Sequence, residues 1–204
     1  DFRKGRRFLK EASDGGDPNC IYNHAALLLL MSKTSRQRKR ALKVMEKAAS
    51  LGSTVAQANL GFNLLANDHP KEGLPWIRKA ARGGHEGACA LLMESYDLGR
   101  WTPRDAKRAF EWGLKAANLG HPESCSNVGV MYVNGEGVEE SLEKAIGWLQ
   151  RGADLGEIYA CELLRDIYAG EMGYPPEPEH ERACKGQLKR LRRKNAREES
   201  REGV

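Results

Sequence analysis

One phrase, written four times, constrains this chain more than any other feature. Lys47-Ala-Ala-Ser-Leu-Gly52, Lys79-Ala-Ala-Arg-Gly-Gly84, Lys115-Ala-Ala-Asn-Leu-Gly120 and Arg151-Gly-Ala-Asp-Leu-Gly156 begin 32, 36 and 36 residues apart. Spacing of this size is the mark of stacked helical units, none of which can bury its apolar face alone. Trp76, Trp112 and Trp148 stand three residues before the phrase, and Ala41, Ala109 and Ala145 six before it. Positions 145, 148 and 152 therefore form a helical stripe with a period of about 3.6. The closing glycine of each phrase belongs just past a helix C-terminus, where φ turns positive.

A second helical pattern follows each glycine. Ala56, Leu60, Gly61 and Leu64 recur as Ala88, Leu92, Met93 and Tyr96, then as Ser124, Val128, Gly129 and Tyr132, and Ala160, Leu164 and Ile167 continue the series. Each unit thus reads as helix A, a turn, helix B and a glycine. Ala, Leu, Lys, Arg and Glu are plentiful, so helix is also the default by propensity.

In these residues the chain resembles the Sel1-like repeat family, relatives of the tetratricopeptide proteins. The best copy, Ser124 to Gly156, carries Gly129, Tyr132, Gly135, Gly137, Val138, Lys144, Ala145, Trp148 and Ala153 in the family's order. Ser141 replaces an aspartate and can still cap helix B. The loop Asn67-Asp68-His69-Pro70 lacks the family's G-x-G-V. The resemblance implies an all-α fold, an α/α right-handed superhelix (solenoid) of helix-turn-helix repeats with a concave face.

The expected layout is a lone capping helix at 1–16 and repeats over 17–175. The repeats divide at about 17–52, 53–84, 85–120, 121–156 and a partial 157–175. A basic helix and tail at 176–204 would close the stack through Leu188 and Leu191, helical to about Arg197 and frayed beyond. The apolar run Ala25 to Met31 is too short to cross a bilayer, which takes about 20 residues, and reads as one buried helix face. Asp1 is not an initiator methionine, as expected of a processed chain whose targeting peptide is gone.

No catalytic constellation is visible. Gly135-Glu-Gly137 follows no strand, so it reads as an inter-helix turn and not a dinucleotide loop. His85 and His121 hold the same repeat position, just after the glycine, and read as start-of-helix residues. Five cysteines without a C-x-x-C fit neither a disulfide framework nor a zinc knuckle. Cys89, Cys125 and Cys161 fall 36 apart, one per unit. Some Sel1-like proteins pair a cysteine at this place with one in the helix-B phrase. Here the partner places hold Ala49, Ala81, Ala117 and Ala153, so the column reads as free, buried thiols. No enzyme, metal or cofactor is expected.

Family packing implies which helix-A residues face the groove: Tyr22 in the first repeat, then Ala58, Phe62 and Leu65, then Glu94 and Asp97. Glu123, Ser126 and Val130 follow, and then Tyr159, Glu162 and Asp166. An apolar first half and an acidic second half suit a peptide or helix with an apolar anchor and a basic segment. Charge is uneven: residues 1–53 carry net +7 and residues 54–157 net −3. Lys33, Arg36, Arg38, Lys39 and Arg40 form one basic run, and Lys189, Arg190, Arg192 and Arg193 belong to another. Both are candidate contact patches. No aromatic residue interleaves with them, which argues against nucleic acid, and an acidic membrane is likewise disfavoured.

The expected function is non-catalytic: an adaptor or scaffold for other proteins. The alternative is a structural or assembly subunit of a large, conceivably mitochondrial, complex. An intracellular setting, cytoplasmic or mitochondrial, is expected.

Overall fold

The computed structural model describes residues 11 and 13–202. The lone helix expected at 1–16 falls largely outside the described residues. Every regular element among the described residues is a helix. In chain order these are α1 (Pro18–Leu30), α2 (Ser35–Ser50), α3 (Thr54–Ala66), α4 (Pro70–Arg82) and α5 (Glu86–Leu98). There follow α6 (Ala106–Asn118), α7 (Pro122–Asn134), α8 (Leu142–Asp154), α9 (Ile158–Tyr168) and α10 (Pro178–Glu202).

The chain divides into two compact units, residues 1–92 and 93–204. In the first, α1 packs on α2, α2 on α3 and α3 on α4, and the two A helices α1 and α3 also touch. The core there joins Ile21, Ala25, Met45, Ala48, Ala49, Ala56 and Leu60. In the second, α6 through α10 pack in chain order, and the A helices α7 and α9 touch. Its two main clusters centre on Cys125, Val128 and Ala145 and on Cys161, Leu164, Cys184 and Leu188.

Helix ends follow the chemistry of the repeated phrase. Gly52, Gly84, Gly120 and Gly156 have φ of 102°, 88°, 96° and 93°, which a side chain would resist. Asp105 accepts from the Arg108 N–H at 3.0 Å, and Ser141 does the same for Lys144 at 3.4 Å. Thr34 and Gln37 form a reciprocal capping box on α2. In the loop without the G-x-G-V motif, Asp68 takes the positive φ of 61°, and the α3–α4 hairpin forms regardless.

Two expectations are corrected. The run Ala25 to Met31 is not one buried face: α1 buries only Ile21 and Ala25, while Leu30 is 79% and Met31 41% exposed. The capping box starts α2 after Thr34, so the end of the run caps α1 and opens into a loop. The C-terminal helix also runs past Arg197 to Glu202. Its Ser200 hydroxyl donates to the Ala196 carbonyl at 2.7 Å, and Lys194 lies 3.9 Å from Glu198.

Candidate interaction surfaces

The three-fold cysteine column has a definite role in the stack. The Cys89 thiol donates to the Ala81 carbonyl at 3.4 Å, and the Cys125 thiol faces the Ala117 carbonyl at 3.8 Å. Gln57 stands at the equivalent place in α3 and donates to the Ala49 carbonyl at 3.0 Å. These are the alanines that replace the second cysteine of disulfide-bearing relatives. Each lies in the last turn of a B helix, and its carbonyl also accepts from the N–H of the closing glycine at 3.0 to 3.2 Å. The Ala153 carbonyl is met by Gln187 of α10 at 2.8 Å. None of the five cysteines is in a disulfide. Burial pushes the Cys125 and Cys184 thiols up, and it raises Cys161 from the ordinary 9.0 to about 11. Such thiols stay protonated at neutral pH and are poor nucleophiles.

The histidines at repeat starts are caps. The His85 ring nitrogen accepts from the Ala88 N–H at 3.3 Å, and His121 accepts from Ser124 N–H at 3.3 Å. Among the described residues, no three His, Cys, Asp or Glu side chains gather to hold a metal ion. No helix there is long and apolar enough to cross a membrane.

In unit 2 the predicted groove residues share one face of the A helices by their spacing. Glu94 and Glu123 are exposed, Asp97 and Val130 are half-buried, and Tyr159 is 48% exposed. Three acids of that set have a basic neighbour, and the His121 ring nitrogen lies 3.4 Å from Glu123. Arg192 of α10 reaches Glu162 at 2.6 Å, and Arg165 pairs with Asp166 at 2.6 Å. Arg192, a predicted contact-patch residue, is therefore turned in part to its own chain. Ser126 is buried and offers nothing to a ligand.

In unit 1, Phe62 stands edge-on to His85 at 6.1 Å. The Tyr22 hydroxyl accepts from the Asn59 amide at 3.3 Å. Leu65 and Ala58 are buried, which corrects their assignment to an open face. Leu65 packs over Gly73, its Cγ 3.0 Å from where a Cβ would stand there.

The basic patches are exposed. Lys33, Arg36, Arg38, Lys39, Arg40 and Lys43 all face solvent, with no acidic residue between Asp17 and Glu46. Arg36 and Arg38 stand in the first turn of α2, where the macrodipole prefers anions. A shallow cleft beside them is lined by Leu28, Met31, Gln37, Arg40 and Ala41. The exposed Leu30–Met31 pair escaped the sequence reading, although Thr34-Ser-Arg-Gln37 marks a helix start and so a loop before it. On α10, Lys189, Arg190 and Arg193 are exposed. Lys189 and Arg193 flank Leu188 and Ala196 along a groove against Arg165.

Comparison with known proteins agrees with this repeat geometry. The Sel1 repeat matches residues 1–17, 18–53, 54–85, 88–121 and 122–157. A Sel1 repeat protein from Oxalobacter formigenes is similar over 93% of this chain and 80% of its own, with 24% identity and a TM-score of 0.77. The protective antigen c5321 of uropathogenic Escherichia coli, with an SLR fold, is 25% identical at a TM-score of 0.83. That match covers 93% of this chain and 42% of the antigen. Helicobacter pylori cysteine rich protein B is 22% identical over 65% of this chain and 98% of its own, at a TM-score of 0.52. Among curated proteins none matches significantly. With five copies of the motif covering most of its length, this chain belongs to the Sel1 repeat family.

Proposed function

We propose that this chain is a non-catalytic adaptor, binding a partner through the exposed face of its A helices. Sel1 repeats are in general protein–protein interaction scaffolds. The observation that carries the reading here is the exposure of two carboxylates, Glu94 and Glu123, and of Tyr159, at helix-A positions that the repeat spacing assigns to one face. Carboxylates flanking an apolar and aromatic anchor site suit a helix or peptide that is basic at one end. Glu162 and Asp166 contribute less, because Arg192 and Arg165 already neutralise them. Phe62 and Tyr22 give unit 1 an aromatic surface of its own.

The test is a binding titration with a basic, amphipathic helical peptide, paired with affinity capture from the native source. The double charge reversal E94K/E123K is expected to weaken peptide binding about tenfold, mostly through a slower on-rate. Unchanged affinity would reject this face as the binding surface. A second reading, a fixed subunit of a large assembly, is favoured by the exposed cations of α10. It predicts one stoichiometric set of partners in the capture, where the adaptor predicts several exchangeable ones.

A further inference from the structure

The end of the first hairpin combines two features that rarely share a water-facing loop. Leu30 and Met31 stand at its tip, 79% and 41% exposed, although α1 has buried positions for only Ile21 and Ala25. Lys33 and Arg36 follow within a few residues, and Lys39 and Arg40 extend the positive charge along the first two turns of α2. None of these cations has an acidic neighbour in sequence from residue 18 to residue 45. No ion pair to any of them is found among the described residues.

We propose that this hairpin tip docks on an anionic lipid bilayer, with Leu30 and Met31 entering the interface and the surrounding Lys and Arg side chains at headgroup level. The chemistry selects this occupant over the others. Two adjacent aliphatic side chains at a tip gain free energy by leaving water for the acyl boundary. A nucleic-acid backbone has no apolar receptor for them, and no aromatic residue is at hand to stack on a base. Arg36, Lys39, Arg40 and Lys43 form a strip along one open face of α2. That suits a diffuse negative surface, where each is worth about a factor of five in affinity, better than a single acidic side chain. From sequence alone the run Ala25 to Met31 reads as buried. Its exposed end reverses that expectation. The inference is independent of the adaptor reading, which concerns other helices.

Co-sedimentation with vesicles of phosphatidylcholine alone, or mixed with phosphatidylserine, tests it. The chain is expected to sediment with the mixed vesicles at low salt and to stay in solution with phosphatidylcholine alone. R36E/R40E should lower the partition about tenfold or more. L30S/M31S should lower it several-fold, while K189E/R193E on α10 leaves it unchanged. The substituted positions are exposed, and circular dichroism checks that each variant keeps its helices. L30W gives a reading in the otherwise intact chain: its emission should shift to the blue on mixed vesicles and be quenched by brominated lipid. Absence of binding to mixed vesicles, equal binding to both kinds, or an L30W emission that does not move overturns the proposal. So does retention of polyuridylate or an acidic helical peptide by L30S/M31S in the absence of any vesicle binding by the parent chain.

Discussion

Gly129 and Gly147 differ sharply in consequence, though both lie inside helices of one hairpin. A Cβ on Gly129 would stand 2.7 Å from Leu149 Cγ and 3.3 Å from the Ala145 carbonyl. One on Gly147 would meet nothing within 4 Å. G129A is therefore expected to lower the urea midpoint, by about 1–3 kcal/mol, since α7 and α8 must part. G147A is expected to raise it by about 0.5–1 kcal/mol through helix propensity alone. Opposite signs from the same substitution separate packing from backbone entropy. Cys161 supplies a pH dependence. Its folded pKa, about 11, lies above the ordinary 9.0 because burial disfavours the thiolate. The unfolded chain thus releases its proton first. Stability from this group is whole below pH 9 and is lost as pH rises toward 11. Denaturation midpoints at pH 8 and pH 10.5 should differ, and the C161A variant should show less of that difference.

At the scale of elements, α10 holds two different segments. Its first half packs on α9 through Cys184 and Leu188, and Gln187 closes the Ala153 carbonyl. Its second half leaves Lys194 to Arg197 exposed. L188A is expected to cost about 2–4 kcal/mol. Truncation after Lys194 should change the midpoint by less than about 0.5 kcal/mol, as expected of a solvated segment. Helix positions were legible in the sequence because the stripe, the cap residues and the closing glycines agree in phase. Ser141, a cap by its place in the repeat, marks the start of α8. Leu65 was not legible: its burial depends on how closely α4 approaches across a loop that lacks the family motif. Leu30 and Met31 were not legible as exposed, because an apolar run carries no mark of where its helix stops unless the following cap is weighed. The pairing of Arg192 with Glu162 spans 30 residues, and no local pattern encodes it.

For the whole molecule, net charge is +5, yet the exposed helix-A face of unit 2 is acidic. Long-range steering of a basic partner to that face is screened within about 8 Å at physiological ionic strength. Raising salt should therefore slow association of the basic peptide with the parent chain. It should leave E94K/E123K much less affected, so the two rates converge. Stopped-flow measurements over a salt series read this directly, and parallel slopes would place the partner elsewhere. The aromatic rings of the B helices are part of the same scaffold. Lys79 lies over Trp76 at 4.4 Å, Lys115 over Trp112 at 5.3 Å and Arg151 over Trp148 at 5.4 Å. Each cation comes from the phrase that first revealed the repeat.

The donor column at Gln57, Cys89 and Cys125 bears on how such a chain can lengthen or shorten. Each B helix ends on a carbonyl that takes one N–H from its own closing glycine and a second donor from the following segment, so every unit is tied to its successor. A duplicated unit brings its own donor with it and fits at once. One that arrives with a plain aliphatic residue at that place would forgo the second bond, while the closing glycine still holds the carbonyl. Amide and thiol serve interchangeably there, which lets sequence drift while the stacking register holds.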